Sequence, residues 1–105
     1  MNQEIYERLK KISEKLKKEY HAERVMLYGS YARGEGTEDS DIDLLVIAPT
    51  QQRMIDRMTA VSMLIWDLRN GLPISSIVLT PAEFRKKLEI KDAFIQTIVQ
   101  EGIDL

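Results

Sequence analysis

At 105 residues and 12.2 kDa the chain has room for one domain, spanning 1–105, that hides roughly two-thirds of its unfolded surface on folding. Apolar residues at 44%, charged residues at 30% and 15 Lys+Arg against 17 Asp+Glu, for a net charge of −2, describe an ordinary soluble domain and exclude a collagen, a disordered tail and a membrane span. So small a net charge steers no polyanion from afar, so nucleic acid is not an expected partner; the lack of cysteine and the charged stretch Met1–Lys11, where a secretory leader would need an apolar run, point to a reducing cytoplasm.

In chain order, Ile5, Leu9, Ile12, Leu16 and Tyr20 recur every three or four positions, which predicts an amphipathic helix over about 3–20 with a solvated face of interleaved lysines and glutamates. The run Val25-Met26-Leu27-Tyr28, stopped by Gly29, reads as a strand covered on both faces. Residues 29–40 hold glycines and polar residues and almost nothing apolar, the pattern of a functional loop, with a short helical turn at Ser30-Tyr31-Ala32-Arg33. Ile42–Ile47 reads as a central strand, with Ile42, Leu44 and Val46 on one apolar face and Leu45 and Ile47 on the other.

Beyond Pro49 and Thr50 the spacing of Met54, Met58, Val61, Ile65 and Leu68 predicts one long helix from about 51 to 70, its methionines filling the core and Gly71 closing it. Met63 and Trp66 fall off that stripe, either as part of a broad buried face or as a surface for a homo- or hetero-oligomer. Ile74–Leu79 is a third strand; Thr80-Pro81-Ala82-Glu83 opens a helix with a cap residue before a first-turn proline, and 92–101 is a last helix ended by Gly102. The order α-β-β-α-β-α-α predicts an α/β (α+β) fold with a small mixed sheet of three or more strands packed by helices.

Chemistry concentrates in Gly29-Ser30 and Asp41-Ile42-Asp43, separated by the ten residues Tyr31–Ser40. Alternate strand positions point the same way, so Asp41 and Asp43 project side by side with Cβ atoms roughly 7 Å apart. Taken alone, such a pair is more often a turn cap and a solvated side chain; as a pair of repelling carboxylates at the mouth of a covered strand, it suits a hard cation such as Mg²⁺ or Mn²⁺. If the first two strands pair antiparallel, the exit at Gly29 lies beside Asp41. Gly29 then lets the backbone approach closely and Ser30 offers a hydroxyl and N–H groups, although alone the dipeptide is an ordinary strand-to-helix turn. Phosphate beside carboxylate-held metal is the arrangement that nucleotidyl transfer from a triphosphate requires.

Gly29-Ser30-Tyr31-Ala32-Arg33-Gly34 followed by Ser40-Asp41-Ile42-Asp43-Leu44-Leu45-Val46 resembles the signature of the minimal nucleotidyltransferases of the DNA polymerase β superfamily. The resemblance implies the palm fold of that superfamily, phosphate contacts from Gly29 and Ser30, and Asp41 and Asp43 as the catalytic carboxylates that hold metal. Arg33 either joins Gly29 and Ser30 in binding the nucleotide or anchors the loop to Glu35, Glu38 or Asp39. Members of this size, the MntA-type antitoxins, pair with a HEPN-type toxin and transfer AMP from ATP to a tyrosine hydroxyl on it, which implies that toxin as partner and ATP with Mg²⁺ as substrate and cofactor. One departure stands out: where the family carries a third carboxylate on the next strand, this chain has Ser75, followed by Ser76. Serine is no general base near neutrality, so Glu38, Asp39 or the partner would have to substitute. The alternative is a catalytically weakened antitoxin or nucleotide-binding module that silences its partner by covering it. His21 and the Arg85-Lys86-Lys87 run read as structural and solvated residues.

Overall fold

The computed structural model describes residues 2–105. Helix α1 (Gln3–Glu19) is capped by Asn2, whose side chain accepts from the N–H groups of Glu4 and Ile5, and it buries Leu9, Ile12 and Leu16. His21 takes a left-handed φ of 59° and lies exposed, ending the helix by turning the chain, as a structural residue there should. Strands β1 (Arg24–Tyr28), β2 (Ile42–Ile47) and β3 (Ile74–Leu79) follow the expected apolar runs. A two-residue strand β4 (Ile103–Asp104), not anticipated from its sequence, completes a four-stranded mixed sheet of order β3-β2-β1-β4.

The expected antiparallel pairing of β1 with β2 holds, with Tyr28 opposite Asp43; β3 lies parallel to β2, with Ser75 opposite Asp43. The two apolar faces of β2 bury separately. Ile42, Leu44 and Val46 join α1, Val61 and Ile65, whereas Leu45 and Ile47 join Phe84, Ile95 and Ile98 from the two C-terminal helices. Asp43, in alternation with Leu45, therefore lies on the C-terminal helices' side. Those helices, α4 (Pro81–Glu89) and α5 (Ala93–Glu101), start as expected: Thr80 and Glu83 form a reciprocal capping box and Asp92 caps Ile95.

The long helix expected over 51–70 is instead two. Thr50 Oγ1 accepts from the Gln52 N–H at 3.1 Å, holding 50–52 in a turn, so α2 runs only Met54–Leu64 and α3 runs Trp66–Arg69. Ile65 breaks them apart at φ −97°, ψ 2°, yet remains buried, and Asn70 in left-handed geometry with Gly71 at φ 83° ends the second piece. Met54 and Met58 are exposed rather than core. The inward position of α2's first turns belongs to Arg57, which donates to the carbonyls of Gln52 and Val78 and pairs with Glu83 at 2.6 Å.

This buried guanidinium ties α2 to α4 around the free edge of β3 and occupies a carbonyl that an added strand would use. Its hydrogen bonds hold the Glu83 carboxyl below its ordinary value, so the pair's stabilisation is present above about pH 4.5 and fades as pH falls through the lowered value. Arg57→Met keeps the volume and strands two carbonyls and a carboxylate; we expect a loss of about 2–3 kcal/mol in denaturant unfolding at neutral pH. A loss under about 0.5 kcal/mol would mean that water replaces the guanidinium. Among the described residues no helix is long and apolar enough to cross a membrane.

Candidate active site

At the end of β1 the chain turns at Gly29, φ 80°. The Arg33 N–H reaches the Gly29 carbonyl at 3.2 Å and the Glu35 N–H reaches that of Ser30 at 2.9 Å, one hydrogen-bonded turn where the sequence anticipates a helical one. The rest of the loop holds itself: the Tyr31 ring lies against Gly36, its hydroxyl donates to the Thr37 carbonyl at 2.9 Å, and Ser40 Oγ accepts from the Thr37 N–H at 3.1 Å. This tethering delivers the chain to Asp41 beside the exit of β1.

Gly29 is required twice over. Its φ is one that side chains rarely adopt, and a Cβ there would stand 2.5 Å from Asp43 Oδ2. The loop backbone thus touches the carboxylate, so Gly29 meets Asp43 as the antiparallel pairing of β1 with β2 requires. Asp43 is half-buried and Asp41 exposed. Burial first, and the charge of Asp41 second, push the Asp43 carboxyl above its ordinary value. Its neighbour Tyr28, packed edge-on against Phe94 at 5.6 Å, is pushed up to about 12 by burial and then by Asp43, so it stays a neutral phenol. Sequence reasoning missed Tyr28 because it reads as one more member of an apolar strand.

Arg33 donates through Nε to Glu35 at 2.9 Å and lies 3.6 Å from Glu101 at the end of α5. Its guanidinium is anchored within the protein, one of the two expected possibilities, with Glu101 as an additional partner that no local spacing could reveal. Ser75 stands in register with Asp43 on the same face, so a third carboxylate would have to sit there. Neither Glu38 nor Asp39 takes its place: among the described residues no three His, Cys, Asp or Glu side chains gather as a metal site. Two hard carboxylates, one of them made reluctant to ionise by burial and by the other, still fit a divalent cation that would relieve both penalties and fill its remaining positions with phosphate and water. Lys87 pairs with Asp92 at 4.0 Å while Arg85 and Lys86 are exposed, a solvated helix face.

The close approach of the Gly29 backbone to the Asp43 carboxylate, with Asp41 on the same strand entrance of a small mixed sheet, suits nucleotidyl transfer. The chain belongs to the nucleotidyltransferase domain family, whose profile matches residues 9–103, and it is a nucleotidyltransferase. It is 34% identical over 97% of its length, and 96% of the relative's, to Putative protein adenylyltransferase MJ0604 of Methanocaldococcus jannaschii. Among solved structures, a chain described as a "putative nucleotidyltransferase from Sulfolobus solfataricus" aligns with a TM-score of 0.59 at 30% identity, covering 76% of this chain and 70% of that one. A chain of the toxin-antitoxin MntA-HpeT aligns with a TM-score of 0.55 at 24% identity, covering 92% and 70%, a likeness of fold.

Proposed function

We propose that the chain transfers AMP from ATP to a hydroxyl, a tyrosine's, on a HEPN-type toxin, and so acts as its antitoxin. The observation that carries this reading is the likeness, over nearly the whole chain, to a relative named as a protein adenylyltransferase; the fold shared with a toxin-antitoxin chain supports the choice of acceptor. The exposed Asp41 beside the half-buried Asp43 leaves the carboxylates open to a docked protein surface that could bring a hydroxyl to them. In the reaction the acceptor oxygen forms a bond to the α-phosphorus, the bond from that phosphorus to the pyrophosphate oxygen breaks, and pyrophosphate leaves. Gly29 and Ser30 hold the phosphates with backbone N–H groups and a hydroxyl, while Asp41 and Asp43 hold Mg²⁺ or Mn²⁺. When bound, such an ion neutralises charge on the triphosphate. The hydroxyl proton goes to solvent on the Ser75 side, where this chain offers no carboxylate.

The test is the intact mass of the toxin after incubation with the purified chain, ATP and Mg²⁺. A gain of one AMP unit, lost when the acceptor tyrosine is Phe, is expected. A complex that forms without any mass gain would overturn transfer and leave the second reading, which Ser75 favours: an antitoxin that works by covering its partner.

A further inference from the structure

The two flanks of Asp43 differ in chemistry. Tyr28 stands opposite it on β1 and Ser75 on β3, each one strand spacing, roughly 5 Å, away. Tyr28 and Ile77 both pack against the cluster of the C-terminal helices, which puts them on the face that Asp43 shares. On the β3 flank that face continues as Ser75 and Ile77, without a ring. On the β1 flank it rises into two aromatic rings: Phe94, in the first turn of α5, meets Tyr28 with centroids 5.6 Å apart and planes at 82°. Such an edge-to-face pair covers only one of its four ring faces, and Phe94 is 51% exposed. An exposed phenylalanine is common enough by itself; what counts is that its partner ring belongs to the residue paired with Asp43.

Resting on the reading of the site as nucleotidyl-transferring, we infer that Tyr28 and Phe94 form the platform on which the base of the nucleoside triphosphate stacks, with Phe94 supplying the open ring face. The phosphates are the end of that substrate which Gly29, Ser30 and a carboxylate-held cation can hold, and this end lies where β1 gives way to the loop. What remains is one ribose and one planar aromatic base. A base gains most by covering another ring, and on this face of the sheet the rings stand on the β1 flank, not among Ser75, Ile77 and Leu79 of β3. The same flank carries the phosphate loop, so an acceptor protein laid there would compete with the donor it must meet. The polar side chains around Phe94 suit a stacking surface rather than a reader of base edges: Asp92 is committed to the Ile95 N–H and to Lys87, and the Thr97 hydroxyl to the Ala93 carbonyl. Stacking accepts any base and rewards the larger one. The platform therefore favours purine over pyrimidine nucleotides and separates adenine from guanine little.

Calorimetric titration of the full chain with ATP and with methyl triphosphate, both with Mg²⁺, tests the platform, because the two ligands share their charged groups and differ by the nucleoside. Wild type is expected to bind ATP about tenfold or more tighter than methyl triphosphate, with GTP close to ATP and with CTP and UTP weaker. Phe94→Leu, which keeps apolar bulk over Tyr28 without a ring, is expected to bring ATP down to the affinity of methyl triphosphate; binding of methyl triphosphate itself should stay as in wild type, which shows that the site still folds. Phe94→Trp is expected to restore the preference. Val99→Ala, at an exposed position of the same helix, is expected to change neither affinity. ATP binding that Phe94→Leu leaves unchanged would overturn the platform, and so would equal affinity for the two ligands in wild type; AMP transfer that continues in either case leaves the proposed function standing. A ring-dependent preference for ATP in a chain that transfers nothing would support the platform and overturn transfer. Absence of any binding would overturn the platform together with the nucleotide site it serves. If Phe94→Leu raised KM for the acceptor protein and left Kd for ATP alone, the rings would belong to the acceptor and the proposal would fall.

Discussion

Asp41→Asn/Asp43→Asn is expected to lower AMP transfer by at least about 10³-fold, since a single preorganised electrostatic contact to developing charge is commonly worth ~10²–10³, and the variant should fold at least as well as wild type at pH 7. The second half follows from the direction of the Asp43 shift. Burial and the Asp41 charge raise its pKa in the folded chain above the ordinary 3.8, so the folded state holds that proton more tightly than the unfolded one. Stability from this group is full below about pH 3.8 and is lost as pH rises through the raised value. At neutral pH wild type carries the full penalty and Asn removes it. Thermal unfolding at pH 7 and in mild acid reads the effect: Tm of the variant should equal or exceed that of wild type at neutrality and converge with it on acidification. Added Mg²⁺ with ATP should raise Tm of wild type only. An unfolded or much less stable variant would make the aspartates structural and sink their assignment as the reacting centre.

This conflict between local stability and chemistry is why the candidate site is legible in the sequence. A pair of aspartates at the mouth of an apolar strand violates what the strand wants, and Gly29 violates what its neighbours want, so both announce themselves in a single sequence. Strands β1 to β3 were equally plain, because β2 is apolar on both faces and bounded by breakers. The start of α4 was plain too, since its capping box is local. What failed was the reading of 51–70. Apolar residues at three-four spacing fit more than one stripe, and periodicity gives no weight to a buried arginine; Arg57 faces inward only because Val78 and Glu83, distant in sequence, supply its partners. The spacing alone therefore places Met54 and Met58 in the core, whereas the buried apolar residues of α2 begin at Val61. β4 and the contact of Arg33 with Glu101 share that origin: a two-residue strand and a loop-to-helix ion pair exist through tertiary proximity alone. The partner of Asp43 at Ser75 needed the resemblance to be noticed and the parallel register to be given a position.

That register makes the missing carboxylate testable by adding it back. Ser75→Asp would put a third acidic side chain beside Asp43 on the same face of neighbouring parallel strands, close enough to share a cation and to accept the proton of an incoming hydroxyl. Ser75 is exposed, so the aspartate adds no buried charge of its own, although without metal it should lower Tm slightly through repulsion from Asp43. With Mg²⁺ that loss should reverse. Transfer to the toxin is expected to rise about 10²-fold, the lower end of what a positioned base contributes, and the rate should acquire a dependence on a carboxylate titrating in the acid range. A faster variant identifies an enzyme slowed by the loss of one ligand and base. An unchanged rate, in a variant whose Mg²⁺ affinity has risen, would mean that the acceptor protein brings its own base, and that the step this chain lacks is supplied by its partner.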